Sequence, residues 1–373
     1  MVSLALLILS VLPATLCLEV KAPYERKSSD CVTRTEHKPW TDLTPKEKSD
    51  YIKGDLCLMS LPASSGIEGA LTRWDELQYA HIAQSDYIHG VGAFLPFHRY
   101  FVTVHQHLLQ AECNYTGPLP YWDEPLDVGH LNQSALFDAE LGFGGNGTGR
   151  DGCIVDGPFA NLTLHFKEDL TTSDYCISRR FNDRAFSSAA KENVDTCFEK
   201  KTFVDAWRCY EGQPHGAGHG GVMGTMVNPL LSPGDPVFFL HHGYLDKLWW
   251  DWQAANLTAR LTDIGGNNTA SGFPFGPGSG FNFTGEPPFG GGNSSNFPSP
   301  PGFPGAPPSN PSGGFPPFPG MNRTLNTAFT EYFNDGGNVT TLNHTLWSAN
   351  IMLNITIADV MDPRGGFVCA EYL

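Results

Sequence analysis

The apolar positions of this chain keep a helical period in some stretches and lose it between them. From Leu71 to Cys113 the pattern is helical. Trp74, Leu77, Tyr79 and His81 fall on one predicted helix, broken near Gly90 and Gly92. A second predicted helix opens at Pro96, where the missing N–H costs little. Along it His98, Phe101, Val102, His105 and Leu109 recur at three- and four-residue spacing, so they share a face. Helical order returns at Thr202–Tyr210, and residues 236–255 read as the clearest helix of the chain. The fold class that follows is mainly α, a central helix bundle with long irregular loops tied by disulfides.

The stretches between carry weaker patterns. Residues 18–70 read as an entry segment stapled to the core by Cys31 and Cys57. Residues 114–200, rich in glycine, asparagine and cysteine, read as a long irregular excursion. From 265 to 320 the composition collapses to Gly, Pro, Phe, Ser and Asn, which predicts a disordered insert rather than a domain. Residues 321–373 recover apolar patterning and are expected to pack back on the main domain, which spans 18–264, with Cys369 as anchor.

Composition adds a compartment. Residues 1–17 form a short apolar run with small or neutral residues before Cys17, which predicts a cleaved secretory signal. Eight cysteines then remain, at 31, 57, 113, 153, 176, 197, 209 and 369. An even count in a secreted chain predicts four disulfides of undetermined pairing. Twelve Asn-x-Ser/Thr sequons, among them Asn114, Asn161, Asn256 and Asn354, predict an extracellular glycoprotein. The formal charge of −16 disfavours nucleic acid and anionic membranes as partners and says little about a neutral ligand.

Candidate chemistry lies in the histidines. Of thirteen, seven fall into two groups: His81, His89 and His98, then His215, His219 and the His241–His242 pair. Neutral imidazole suits copper, zinc, iron and nickel, and affinity among divalent ions peaks at copper. No carboxylate or thiolate completes either triplet, which argues against calcium, magnesium and iron–sulfur. Two facing sites of three imidazoles describe a coupled dicopper centre that binds dioxygen. His215 and His219 are four apart, hence neighbours on a helical face. The glycines between them are poor helix formers, so metal ligation is expected to help hold that turn. Adjacent side chains on a helix point about 100° apart, so only one of His241 and His242 is expected to bind metal. Phe94 precedes His98 by four residues and Phe238 precedes His242 by four, placing each ring one turn below a candidate ligand. Such rings fix imidazoles and exclude water, or simply fill the core. His37, His105, His107, His130, His165 and His344 lack this context and read as structural or exposed.

Four stretches carry a family resemblance: His89–Tyr100, Pro120–Asp123, Glu211–His219 and Asp235–Trp250. With them the chain resembles the tyrosinases and catechol oxidases, the type-3 copper family. The resemblance implies two copper ions held by His81, His89, His98, His215, His219 and His242, with dioxygen and small phenols as partners. It favours His242 within the pair, and His241 then stands beside the site. Asp246, four residues on, is expected to fix a neighbouring imidazole or to pair with Lys247 or Arg99. The implied activity is oxidation of o-diphenols, with o-aminophenols as further candidates, to o-quinones.

Three departures bear on selectivity. The resemblance implies that an Asn after the first histidine of the second site, with a Glu four residues before that histidine, positions a water that deprotonates monophenols. Glu211 is present here, but Gly216 stands at the Asn position and offers no side-chain donor or acceptor. Gly220 follows the second histidine where a bulky residue is usual, which predicts a wide pocket mouth. Tyr87, not Cys, stands two residues before His89, so a Cys–His thioether cannot form in that way. Weak or absent monophenol hydroxylation is therefore expected. Full tyrosinase activity and a haemocyanin-like dioxygen carrier are the competing readings. The carrier is disfavoured by the single unit and by glycines where a shielded site needs bulk.

Overall fold

Two threonines start the helical part of the fold. Thr44 accepts from the Glu47 N–H while Glu47 accepts from the Thr44 N–H, and Pro45 occupies the first turn of α1 (Pro45–Ser60). Thr72 and Asp75 form the same box at the start of α2 (Arg73–Ile82). The computed structural model describes residues 20–27, 31–270 and 333–373. The expected signal at 1–17 lies outside these residues, as does most of the expected insert.

The remaining helices are α3 (Ser85–Ile88), α4 (Phe94–Glu112), α5 (Asp183–Phe186), α6 (Lys191–Phe198), α7 (Phe203–Tyr210), α8 (Gly216–Val222), α9 (Val237–Ala254) and α10 (Leu257–Arg260). The fold is mainly helical, as its periodicity predicts. Three details differ. The entry segment holds α1, whose capping box is readable in Thr44-Pro-Lys-Glu47 although its apolar stripe is weak. The first predicted helix ends at Ile82, not near Gly90, so His89 stands in extended backbone after α3. Helical order also resumes at Asp183 and again at Lys191, ahead of Thr202.

Helices α4 and α9 pack against each other at the centre and bury most of their circumference. Phe101 lies 6.0 Å from Phe238 and 5.7 Å from Phe239 between ring centroids. His105 stacks on Phe239 at 3.8 Å and bonds through Nε2 with Asp55 at 2.8 Å, so it is structural. Buried charges are paired, since an unpaired one would cost several kcal/mol. Arg179 grips Asp235 through two bonds of 2.7 and 2.8 Å. Arg99 donates to Asp246, and its guanidinium lies 3.8 Å above the Trp249 ring.

Both ends of the domain are tied in. Strand β1 (Thr35–Pro39) lies between β2 (Leu119–Tyr121) and the C-terminal strand β7 (Ala370–Tyr372), parallel to both. Cys31–Cys369 fastens the same ends, and Tyr372 donates its hydroxyl to Asp246 on α9. Three further disulfides join Cys57 to Cys113, Cys153 to Cys176 and Cys197 to Cys209. The excursion at 114–200 holds β2, a hairpin of β3 (Thr163–Phe166) and β4 (Thr172–Cys176), helices α5 and α6, and short helical turns joined by irregular chain. In the tail, β5 (Thr345–Leu346) pairs with β6 (Ile355–Thr356).

A clasp joins the tail to the core. Asn267 bridges Val339, Thr340 donates its N–H to Gly266 at 2.8 Å, and Gly92 donates to Asn267 at 2.9 Å. Gly92 must be glycine here, because a Cβ would stand 2.0 Å from the Gly265 carbonyl oxygen. Among the described residues no helix is long and apolar enough to cross a membrane.

Candidate metal centre

The α4–α9 contact carries one candidate ligand from each helix. His98 and His242 stack with ring centroids 4.1 Å apart and planes 13° apart. Around them the chain gathers the others from separate segments. His81 comes from the last turn of α2 and His89 from the extended residue after α3. His215 closes a π turn over Glu211–His215, and His219 follows on α8. His81, His89 and His98 form one buried group, and His215, His219, His241 and His242 form another. Within each group the ligand atoms lie within 4.8 Å of one another. The groups abut, with His89 and His215 rings 6.2 Å apart.

Backbone carbonyls set the tautomer of five rings. Nδ1 of His81 donates to Leu230 at 3.1 Å, of His89 to Ser85 at 3.0 Å and of His98 to Phe94 at 2.8 Å. Nδ1 of His215 donates to Glu211 at 3.2 Å and of His219 to Met226 at 2.5 Å. Each Nε2 is then the unprotonated nitrogen of its ring. Burial, reinforced by neighbouring imidazoles, holds His81, His98, His215, His219 and His242 well below the usual histidine range, and burial takes His89 to about 4. Neutral rings are the ligating form.

The donor set fits a metal pair. Nε2 of His81 and of His98 is buried without a hydrogen-bond partner, a costly arrangement for a polar atom unless something else satisfies it. Nε2 of His219 and Nε2 of His242 face each other at 3.3 Å. Two groups of buried, neutral imidazoles, abutting and free of acids within the sets, are positioned for a coupled dinuclear site.

The surrounding residues divide by what they touch. Phe94 lies 4.8 Å from His98 and 4.7 Å from His215, and so spans both groups. Phe238 lies 4.1 Å from His242 and 5.3 Å from His81. Asp246 bonds Arg99 and Tyr372 and no imidazole, while Lys247 pairs with Asp251. Of the roles expected for Asp246, the ion pair with Arg99 is the one formed. Gly216 and Gly220 are both buried in α8. Glu211 is buried and accepts the Gly90 N–H at 2.7 Å. Burial pushes its carboxyl up to about 8, against the lowering effect of that bond.

Sequence reading missed Glu124. It is fully buried and bonds the Nδ1 of His241. Burial, with Asp123 and Asp127 adding, raises its carboxyl well above the usual range. It directly follows the Pro120–Asp123 stretch, but no spacing connects it to a histidine 117 residues away. All eight described cysteines form disulfides, so none is left for a thioether.

Comparison with known proteins agrees with this geometry. The family model for the common central domain of tyrosinase matches residues 71–255. The chain is 34% identical over 261 residues to phomQ1', a tyrosinase-like protein of Diaporthe leptostromiformis, covering 63% of this chain and 68% of that one. It is 32% identical over 251 residues to the tyrosinase ustQ of Aspergillus flavus, covering 64% and 69% respectively. The fold matches the structure of a polyphenol oxidase from Thermothelomyces thermophila with a TM-score of 0.67 at 22% identity, covering 92% of this chain and 89% of the other.

Proposed function

The chain belongs to the tyrosinase family and is a copper oxidoreductase, and from that premise we propose that it oxidises o-diphenols, and by extension o-aminophenols, with little hydroxylation of monophenols. Two copper ions would be held by His81, His89, His98, His215, His219 and His242. Copper is the assignment because the donors are all neutral imidazole. The bound pair supplies electron exchange between phenol and dioxygen, and over a full cycle two diphenols and one dioxygen yield two quinones and two waters.

The chain's own residues supply position, dryness and proton handling. Carbonyls of Leu230, Ser85, Phe94, Glu211 and Met226 orient five rings before any metal arrives. Phe94 and Phe238 pack beside both groups and keep water from them. Glu211 lies four residues before His215 and accepts the Gly90 N–H from the loop of the first group.

The observation that carries the selectivity is Gly216. It is buried beside His215 and has no side chain to help Glu211 hold a water as base. Diphenols need this help least, because their protons are more acidic and no oxygen enters the ring. Initial rates on a matched catechol and monophenol, at equal copper content, test the proposal. Catechol oxidation should be far faster, and a comparable monophenol rate would reject it.

The same reading takes the protein as secreted and glycosylated. Four disulfides support an oxidising compartment. Asn114, Asn161, Asn256 and Asn354 are exposed sequons. A mass loss on glycosidase treatment of protein recovered from medium is the expected result.

A further inference from the structure

Three side chains of α2 reach the same stretch of chain. Trp74, Gln78 and His81 stand four and three residues apart, so they share one face of the helix. They donate in reverse order to three carbonyls. Trp74 donates to Gly234 at 3.2 Å, Gln78 to Leu231 at 3.0 Å, and Nδ1 of His81 to Leu230 at 3.1 Å. One residue earlier, the Pro229 carbonyl accepts the Ser85 hydroxyl at 3.2 Å, and that oxygen stands 3.2 Å from Nδ1 of His89. Two candidate ligands of the first group therefore lean on consecutive carbonyls of a segment, residues 228–231, that is neither helix nor strand.

Asn228 holds those carbonyls in place. Its Oδ1 accepts the N–H of Leu230 at 3.0 Å and of Leu231 at 3.2 Å. In a trans peptide the N–H of one residue and the carbonyl of the residue before it share a plane and point opposite ways. Gripping the Leu230 N–H therefore turns the Pro229 carbonyl away from Asn228 and toward Ser85. Gripping the Leu231 N–H turns the Leu230 carbonyl toward His81. The other end of the amide is fixed as well, since Nδ2 donates to Glu168 at 2.8 Å, on the loop between β3 and β4. A carboxylate accepts and backbone N–H groups donate, so the amide fits in one orientation alone.

Such a turn is not in itself a device. Asn182 accepts the Ala185 N–H in a similar way, and there it caps α5. What singles out Asn228 is the pair of imidazoles behind the two peptides it holds. The other candidate ligands are held differently. His98 is set within α4 by the Phe94 carbonyl. His219 meets the Met226 carbonyl, in a turn that the Asn228 N–H closes onto Thr225 at 3.3 Å, a backbone bond that survives a change of side chain.

We propose that Asn228 is a positioning residue for the first metal site, acting through the Leu230 carbonyl on His81 and through Pro229 and Ser85 on His89. The inference rests on the copper reading above. It makes the affinity of one site, and not of the other, depend on a side chain whose own bonds go to Glu168 and to backbone.

The test is anaerobic titration of the metal-free, full-length protein with copper(I) against a chromophoric chelator. The wild type should bind two ions, and fewer than two would reject the copper reading itself, before any variant is considered. Single-site backgrounds then separate the groups: His242→Ala leaves the first site to report, and His98→Ala the second. Asn228→Ala should weaken the first site about tenfold and leave the second within about twofold. In metal-free protein with labelled histidines, the Nδ1 proton signal of His81 should be lost to exchange while that of His219 persists, a pattern that a merely structural role would not produce. Asn228→Asp combined with Glu168→Gln, which keeps the acceptor and exchanges donor for acceptor across the other bond, should restore the first site. If Asn228→Ala does not fold, Asn228→Ser decides in its place, since a hydroxyl holds such a turn more weakly. An unchanged first site, equal weakening of both sites, or no restoration by the double change would overturn the inference.

Discussion

The Gly90 N–H donates to the Glu211 carboxylate across 2.7 Å, joining the residue after one candidate ligand, His89, to an acid one turn before another, His215. Gly90 has φ +65°, a left-handed conformation that suits glycine and aims its N–H at the acid. This bond links the loop of the first group to the π turn of the second.

That acid should leave a pH signature in the metal-free protein. The folded carboxyl titrates at about 8, the unfolded one near its ordinary value. The folded state therefore holds the proton more tightly, and stability falls as pH rises from about 4.5 to 8. Glu211→Gln removes this slope and should make the metal-free protein relatively more stable at pH 8 than at pH 5. Denaturant unfolding of both proteins at several pH values measures it. Parallel pH profiles would mean that Glu211 is already ionised in the fold.

Copper content should follow the two groups separately. The wild type should hold about two ions per chain, consistent with imidazole preference. His98→Ala should leave about one ion and no turnover, and His242→Ala likewise, because His98 and His242 belong to different groups although they stack. Elemental analysis with protein quantification reads this. A His242→Ala protein with both ions and full activity would shift the ligand role to its neighbour.

Residues 275–328 should be dispensable for turnover. The chain on either side is paired with itself through Asn267 and Val339, and through Thr340 and Gly266, so the clasp supplies its own closure. Replacing the segment by a short linker shortens a loop and costs little in closure entropy. Catechol oxidation within about threefold of wild type is the expected result, on the order of 0.7 kcal/mol in barrier. A folded, copper-loaded deletion without activity would show that the segment takes part in the site.

The parts of this fold that were legible are those that local pattern specifies. The α9 helix follows from its run of apolar residues, and the helical face shared by His98, Phe101 and His105 from their spacing, while the ligand role of His98 rests on the motif around it. His89 was placed by motif, not by periodicity, since it lies in extended backbone after α3. Long-range polar contacts were not legible. Nothing in the spacing joins Tyr372 to Asp246 or Glu124 to His241, because each depends on how β2 and β7 lie against α9. Gly218 looked like a weak point in a helix, and its purpose becomes visible only when the ring facing it is known. Helix α1 was missed because its apolar stripe is faint, although its capping box was in plain sight.

Gly216 is where a single side chain should change the chemistry. Hydroxylating a monophenol requires its proton to be removed beside the copper pair. A water can serve as base only if at least two polar groups hold it. Glu211 supplies one, and its second hydrogen-bonding commitment is already to Gly90. Gly216 and Gly220 supply none, since both are buried glycines on α8. Gly216→Asn adds an amide oxygen and two N–H donors next to His215. It should raise the ratio of monophenol to diphenol rates by about tenfold, equivalent to roughly 1.4 kcal/mol in barrier. The diphenol rate itself should move little, because that reaction does not depend on the held water. Initial rates on one phenol–catechol pair, for both proteins at equal copper content, make the comparison. An unchanged ratio would place the base elsewhere. A fall in both rates together, with copper retained, would mean that the new side chain blocks the phenol instead of helping it.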